Sequence, residues 1–175
     1  KKNFDTVIHA VAKLGKQGYR NLRYVIVGDG PYEEELKRLA HELDVQDRIQ
    51  FVGRKSQTEL AQYFQAADVS VLVSVEETMG RTYFEAGGCG IPVIGARVGG
   101  VPSVIQDGKN GLLVDDPEDV GDLAEKLKEL IENPNLRRQM GEEGVRLAQE
   151  RFSWERVGCE FYAIFETLQK PSIEQ

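Results

Sequence analysis

Apolar side chains follow two alternating rhythms along the chain: short aliphatic and β-branched runs, and stretches whose apolar positions return every three or four residues. Leu22 to Val27 (LRYVIV), Ile49 to Val52, Val69 to Val73 (VSVLV), Pro92 to Gly95 and Gly111 to Val114 read as strands. VSVLV is nearly all apolar, as a central parallel strand covered on both faces should be. Phe4, Val7, Ile8, Val11 and Leu14 stand at helical spacing at the start of the chain. Pro31 opens a second helix, with Glu33, Glu34 and Glu35 at the positive end of its dipole and Leu36, Leu39, Ala40 and Leu43 on its apolar side. Ser56-Gln57-Thr58-Glu59 has the form of a capping box and starts a helix through Leu60, Tyr63, Phe64 and Ala67. A short helix is expected near Thr82 to Gly88.

In the last third, Asp116-Pro117-Glu118-Asp119 supplies an N-cap, a proline and an acidic first turn for a helix reaching about Glu132. Pro134 opens another, which the pattern breaks near Gly144. Ser153 caps a final helix carrying Val157, Phe161, Ile164, Phe165 and Leu168. Five strands separated by helices imply an α/β fold, a doubly wound parallel sheet over residues 1–152 with a helical tail over 153–175. The chain opens in a helix where a βαβ unit would have a strand, so the domain's first strand is expected to precede Lys1.

Length and composition narrow the function. The 175 residues suit one domain, and 41% apolar with 29% charged residues excludes a fibre, a disordered tail or a repeat array. The net charge of −7 disfavours nucleic acid and anionic membranes as general partners, so any bound phosphate must be met by local cations or backbone N–H groups. No run approaches the roughly 18 apolar residues of a membrane span, and no charged-then-apolar leader opens the chain. A cytoplasmic protein is expected. Cys89 and Cys159 are too few for a disulfide framework and lack metal-ligand spacing.

Ligands of open α/β sheets bind beyond the carboxyl ends of the strands, so the segments after each strand are the candidates. Gly28-Asp29-Gly30 lacks a third glycine, Glu33 standing in its place, and reads as a tight turn rather than a dinucleotide fingerprint. Gly53, Arg54 and Lys55 either face a nucleotide base or its phosphates or form a solvated loop. The segment Ser74 to Pro92 is the informative one. Glu77 falls in the strand-to-helix loop and Glu85 about one turn into the next helix, where each carboxylate can accept hydrogen bonds from a pair of hydroxyls. Between them, the N–H groups of Gly80, Arg81 and Thr82 open a helix and can hold a phosphate. Two glutamates at this spacing are, as bare spacing, equally compatible with solvated carboxylates. Gly99 and Gly100 form a glycine turn that presents N–H groups to an anion or is a turn only. His9 and His41 have no ligand cluster around them, so no metal is expected, and Ser74 has no triad partner.

Taken in order, these segments resemble the C-terminal, nucleotide-sugar-binding domain of GT-B glycosyltransferases, in the large retaining group often called family four. The likeness runs through Val25 to Pro31, Phe51-Val52-Gly53, Ala66 to Val69, Glu77 to Pro92, Val98 to Pro102, Asp107 to Val114 and Phe152-Ser153-Trp154. It implies a Rossmann-like domain, the C-terminal half of a GT-B architecture. It implies that Glu77 contacts donor-sugar hydroxyls, that Glu85 holds the ribose, and that Met79 and Gly80 lie along the sugar. Gly53, Arg54 and Lys55 would then lie near the base. Lys2, in a stretch that the family usually reads Glu-Lys-Gly and that is here Lys1-Lys2-Asn3, would contact the diphosphate.

The implied reaction moves a hexose from a nucleoside-diphosphate sugar to an acceptor, without a metal or other cofactor. An epimerase of the same architecture and a non-catalytic docking module are the alternatives. The arginine that partners Lys2 would precede residue 1, and the acceptor-binding N-terminal domain lies elsewhere. This chain is thus expected to bind a donor without turning it over, and to meet a membrane only through that other domain. Val73-Ser74 replaces a usual Pro-Ser, Met79 a usual Phe, Ser103 a frequent Glu, and Gly87-Gly88 a pair of the Ala-Met type. The tail helix would cross to the other domain, leaving Phe161, Ile164 and Phe165 exposed here.

Overall fold

The computed structural model describes residues 2–169; Lys1 and positions 170–175 of the expected tail lie outside the described residues. Helices and strands alternate as α1 (Phe4–Lys16), β1 (Tyr24–Ile26), α2 (Glu33–Glu42), β2 (Ile49–Phe51), α3 (Gln57–Ala66), β3 (Ser70–Leu72), α4 (Arg81–Gly88), β4 (Val93–Ala96), α5 (Val101–Val104) and β5 (Gly111–Val114). Three helices follow: α6 (Val120–Glu132), α7 (Pro134–Phe152) and α8 (Trp154–Gln169). Every strand pairing is parallel, with Tyr24 opposite Ile49, Ser70 opposite Val93 and Val93 opposite Gly111.

The strands form two hydrogen-bonded groups, β1-β2 and β3-β4-β5. Burial is deepest at β4 and β5. β4 and β5 are buried at every position, whereas β1 leaves Val25 36% exposed. Helix α1 packs on both groups. Its Val7, Ala10 and Leu14 join Val73, Ile94 and Val114, while Ile8, Val11 and Ala12 join Ile26 and Ile49.

Local signals explain most element boundaries. Ser56 and Glu59 form the full capping box, and Ser153 Oγ accepts from the Arg156 N–H at 3.3 Å to start α8. At α6 the cap is Asp119, whose Oδ1 accepts from the N–H groups of Gly121 and Asp122; Asp116 instead accepts from Glu118 N–H in the turn before it. The break expected near Gly144 is absent, and α7 runs unbroken through it. A Cβ on Gly144 would lie 2.9 Å from the Gly87 carbonyl oxygen, so the residue serves as a notch in which α4 lies against α7. The Gly87-Gly88 pair is not demanded by this packing, since a Cβ there would lie 3.6 Å from the Gly144 Cα or 3.4 Å from the Ala148 Cβ. The exposed strip on α8 is present: Phe161, Ile164 and Phe165 are all more than half exposed.

Candidate functional site

Two loops interlock at the carboxyl ends of β3 and β4. After β3 the chain turns through Ser74 to Gly80. There Glu77 Oε1 accepts from the Gly80 N–H at 3.1 Å, so a carboxylate sits against the N-terminus of α4, where the helix dipole favours it. Gly80 is the N-cap at φ 73°, ψ 48°, in the left-handed region that glycine enters without steric penalty. After β4, Gly99 and Gly100 press against the first loop from behind. The Gly100 N–H donates to the Glu77 carbonyl at 3.1 Å. A Cβ on Gly99 would lie 2.1 Å from the Glu77 oxygen, and one on Gly100 2.1 Å from that of Thr78. The glycines are what let the two segments touch.

Below this junction lies Tyr83, fully buried, whose hydroxyl donates to the Leu72 carbonyl at 2.5 Å. Its ring packs under Gly80 so closely that a Cβ there would lie 2.4 Å from it. Burial raises the Tyr83 pKa, and the Glu77 charge raises it further, so the hydroxyl stays a donor. Ser74 Oγ, also buried, lies close enough to temper that shift but makes no hydrogen bond. Tyr83 is a support that sequence reasoning missed; an aromatic three residues after the glycine N-cap was its only trace.

Glu85 lies one turn into α4, half-buried, with Oε1 3.1 Å from the exposed Arg81 Nε. The ring of its neighbour Phe84 stacks on Phe152 at the end of α7, centroids 4.7 Å apart and planes 11° from parallel. Arg151 lies over the same Phe152 ring and donates to the Ser103 carbonyl at 3.2 Å, just past the Gly99-Gly100 turn. The end of α7 therefore braces both segments of the site.

A second patch forms at the ends of β1 and β2. The Gly28 N–H donates to the Gly53 carbonyl at 2.9 Å, and Asp29 Oδ1 holds Arg54 Nε at 2.9 Å. The Gly28-Asp29-Gly30 turn is thus the partner of the Gly53-Arg54-Lys55 loop, a role its glycines alone did not announce. Among the described residues, no side-chain hydrogen bond or ion pair joins Lys2, Lys55 or Met79 to the other candidates. Lys2 is exposed ahead of α1. Beside it Asn3 takes φ 44°, a conformation that asparagine tolerates better than most residues, which accounts for Asn in a position where glycine is usual.

Residues 1–146 match the family model described as Glycosyl transferases group 1. The chain belongs to this family. Its fold is that of the C-terminal domain of GT-B glycosyltransferases, parallel strands and helices followed by a helical tail. This glycosyl transferase domain is 36% identical over 169 residues to a D-inositol 3-phosphate glycosyltransferase of Corynebacterium efficiens, aligned over 94% of the chain and 39% of that relative. It superposes on sucrose-phosphate synthase of Thermosynechococcus elongatus with a TM-score of 0.86 and 29% identity, covering 96% of this chain and 42% of that one. The Anabaena protein HepE, solved in complex with UDP-glucose, matches with a TM-score of 0.85 and 26% identity, over 95% and 45%. The domain therefore spans less than half the length of each of these proteins. No helix among the described residues is long and apolar enough to cross a membrane.

Proposed function

We propose that this domain holds the donor of a retaining glycosyltransferase that moves a hexose from a nucleoside-diphosphate sugar to an acceptor bound by another domain of the same protein. The observation that carries the reading is the interlocked pair of loops, which fixes Glu77 against the N-terminus of α4, the helix that carries Glu85. In this arrangement Glu77 binds donor-sugar hydroxyls along Met79 and Gly80, and Glu85 binds the ribose. The loop of Gly53, Arg54 and Lys55 receives the base. The reaction's demand is electrostatic: the diphosphate gains negative charge as the glycosidic bond breaks. Lys2 and the N–H groups of Arg81 and Thr82 meet that charge, the Gly80 N–H being taken by Glu77, with the Gly99-Gly100 turn behind them, and no metal is called for. The apolar strip of α8 packs on the acceptor domain, so that this domain alone binds without turnover.

The test is calorimetric titration of the full-length protein with UDP, GDP and ADP, wild type beside Glu85→Ala. One nucleotide is expected to bind selectively. The variant should bind it about 10- to 100-fold more weakly, the worth of hydrogen bonds to a charged acceptor. Binding of none of the three, or equal binding by the variant, would overturn the reading in favour of a docking module in which both glutamates are dispensable.

A further inference from the structure

Arg81 stands where a helix least favours a cation. It is the first residue of α4, at the positive end of the dipole; the first turn of α4 contains no acidic residue, and the Glu77 carboxylate ahead of it is engaged by the Gly80 N–H. What holds it is Glu85, one turn along the same face, with Nε 3.1 Å from Oε1. The pair is unequal: the arginine side chain is 78% exposed and the glutamate 23%. Exposed ion pairs of this spacing are weak, so the guanidinium is available to a stronger partner while the carboxylate stays in place. The other arginine among the candidates, Arg54, is paired with Asp29 in the second patch, at the ends of β1 and β2. Arg81 also adjoins Gly80, on the turn whose N–H groups form the anion-binding end of α4. A guanidinium there can chelate two phosphate oxygens through parallel N–H groups.

We infer that Arg81 is an exchangeable counter-ion. It holds Glu85 while the site is empty and passes to the diphosphate when the ribose hydroxyls take over the carboxylate. The inference rests on the nucleotide-sugar reading above and deepens it. It makes the two halves of the nucleotide depend on each other. A nucleoside alone must displace Arg81 from Glu85 and offers the freed guanidinium nothing, whereas a nucleoside diphosphate offers it a new partner.

The experiment compares nucleoside with nucleoside diphosphate. Full-length wild type, Arg81→Gln and Arg81→Lys are titrated calorimetrically with uridine and UDP, guanosine and GDP, and adenosine and ADP, at two salt concentrations. For the base that binds, Arg81→Gln should weaken the diphosphate about tenfold, the scale of one charge-assisted contact, and flatten its salt dependence. The same variant should bind the nucleoside at least as well as wild type. Arg81→Lys should fall between, keeping the charge but not the paired donors. A variant that weakens nucleoside and diphosphate alike marks Arg81 as merely structural and overturns the inference while the donor-site reading stands. Unchanged diphosphate binding in Arg81→Gln does the same. Wild type that binds none of the six ligands removes both.

Discussion

Replacing Gly100 with alanine isolates the contact on which the site depends. Its φ of −82° suits any residue, so the substitution introduces no backbone strain of its own, and the effect is steric alone. The new Cβ would sit 2.1 Å from the Thr78 carbonyl oxygen and 3.3 Å from the Met79 Cα, against ordinary contacts that begin near 3.4 Å. Both neighbours are backbone, so no rotamer change relieves the clash, and the loops must part by about an ångström. Overpacking of this kind costs about 1–3 kcal/mol, and stretching the Gly100 N–H bond to Glu77 adds about 1 kcal/mol. A loss of roughly 2–4 kcal/mol in a domain of this size lowers the melting temperature by about 5–15 °C. Because the displaced segment carries Glu77, binding of the nucleotide-sugar should fall further than stability does. Differential scanning fluorimetry and donor titration measure the two, with Gly30→Ala as control, since a Cβ there meets nothing within 4 Å. If Gly100→Ala melts and binds like Gly30→Ala, the two loops do not depend on each other as described.

Two further outcomes are expected. Cys159 is exposed, whereas Cys89 is partly buried and its thiol pKa is raised, first by burial and then by the Glu85 charge. A maleimide should therefore label Cys159 first near neutral pH. Cys89 should follow as pH rises toward its higher pKa, and Glu85→Gln should bring that rise to lower pH; mass spectrometry at timed intervals reads both sites, and equal rates at every pH would count against the burial. Phe152→Ala should cost about 2–3 kcal/mol, less than a fully buried ring, because it removes the stack on Phe84 and the seat of Arg151. Thermal unfolding checks this, and donor binding should weaken with it because Phe84 adjoins Glu85.

Much of the fold was legible because its signals are local. The alternation of apolar runs with helical periodicity located all the strands, and the Ser56-Glu59 capping box appeared as written. Glu77 and Glu85 were legible as candidates for the same reason: the carboxyl end of an apolar strand is where a parallel sheet presents its loops. What was illegible depends on tertiary partners. Gly144 was taken for a break on helix propensity, yet the missing side chain admits Gly87 of another helix. Tyr83 under Gly80 left only the trace of its spacing, and Asp29 on Arg54 is a meeting across loops that no spacing encodes. Asp119 prevailed over Asp116 as a cap because only its carboxylate reaches two free N–H groups of the helix.

The division of the strands bears on how the domain yields. The patch around Gly53 stands on β1-β2 and the patch around Glu77 on β3-β4-β5, with no ladder hydrogen bond between the two groups among the described residues. Regions without shared ladders open with their own free energies. The two patches thus rest on strand groups that share no ladder, and α1, which lends side chains to both cores, serves as a rivet between them. A defect in that helix should loosen both patches without touching a residue of either.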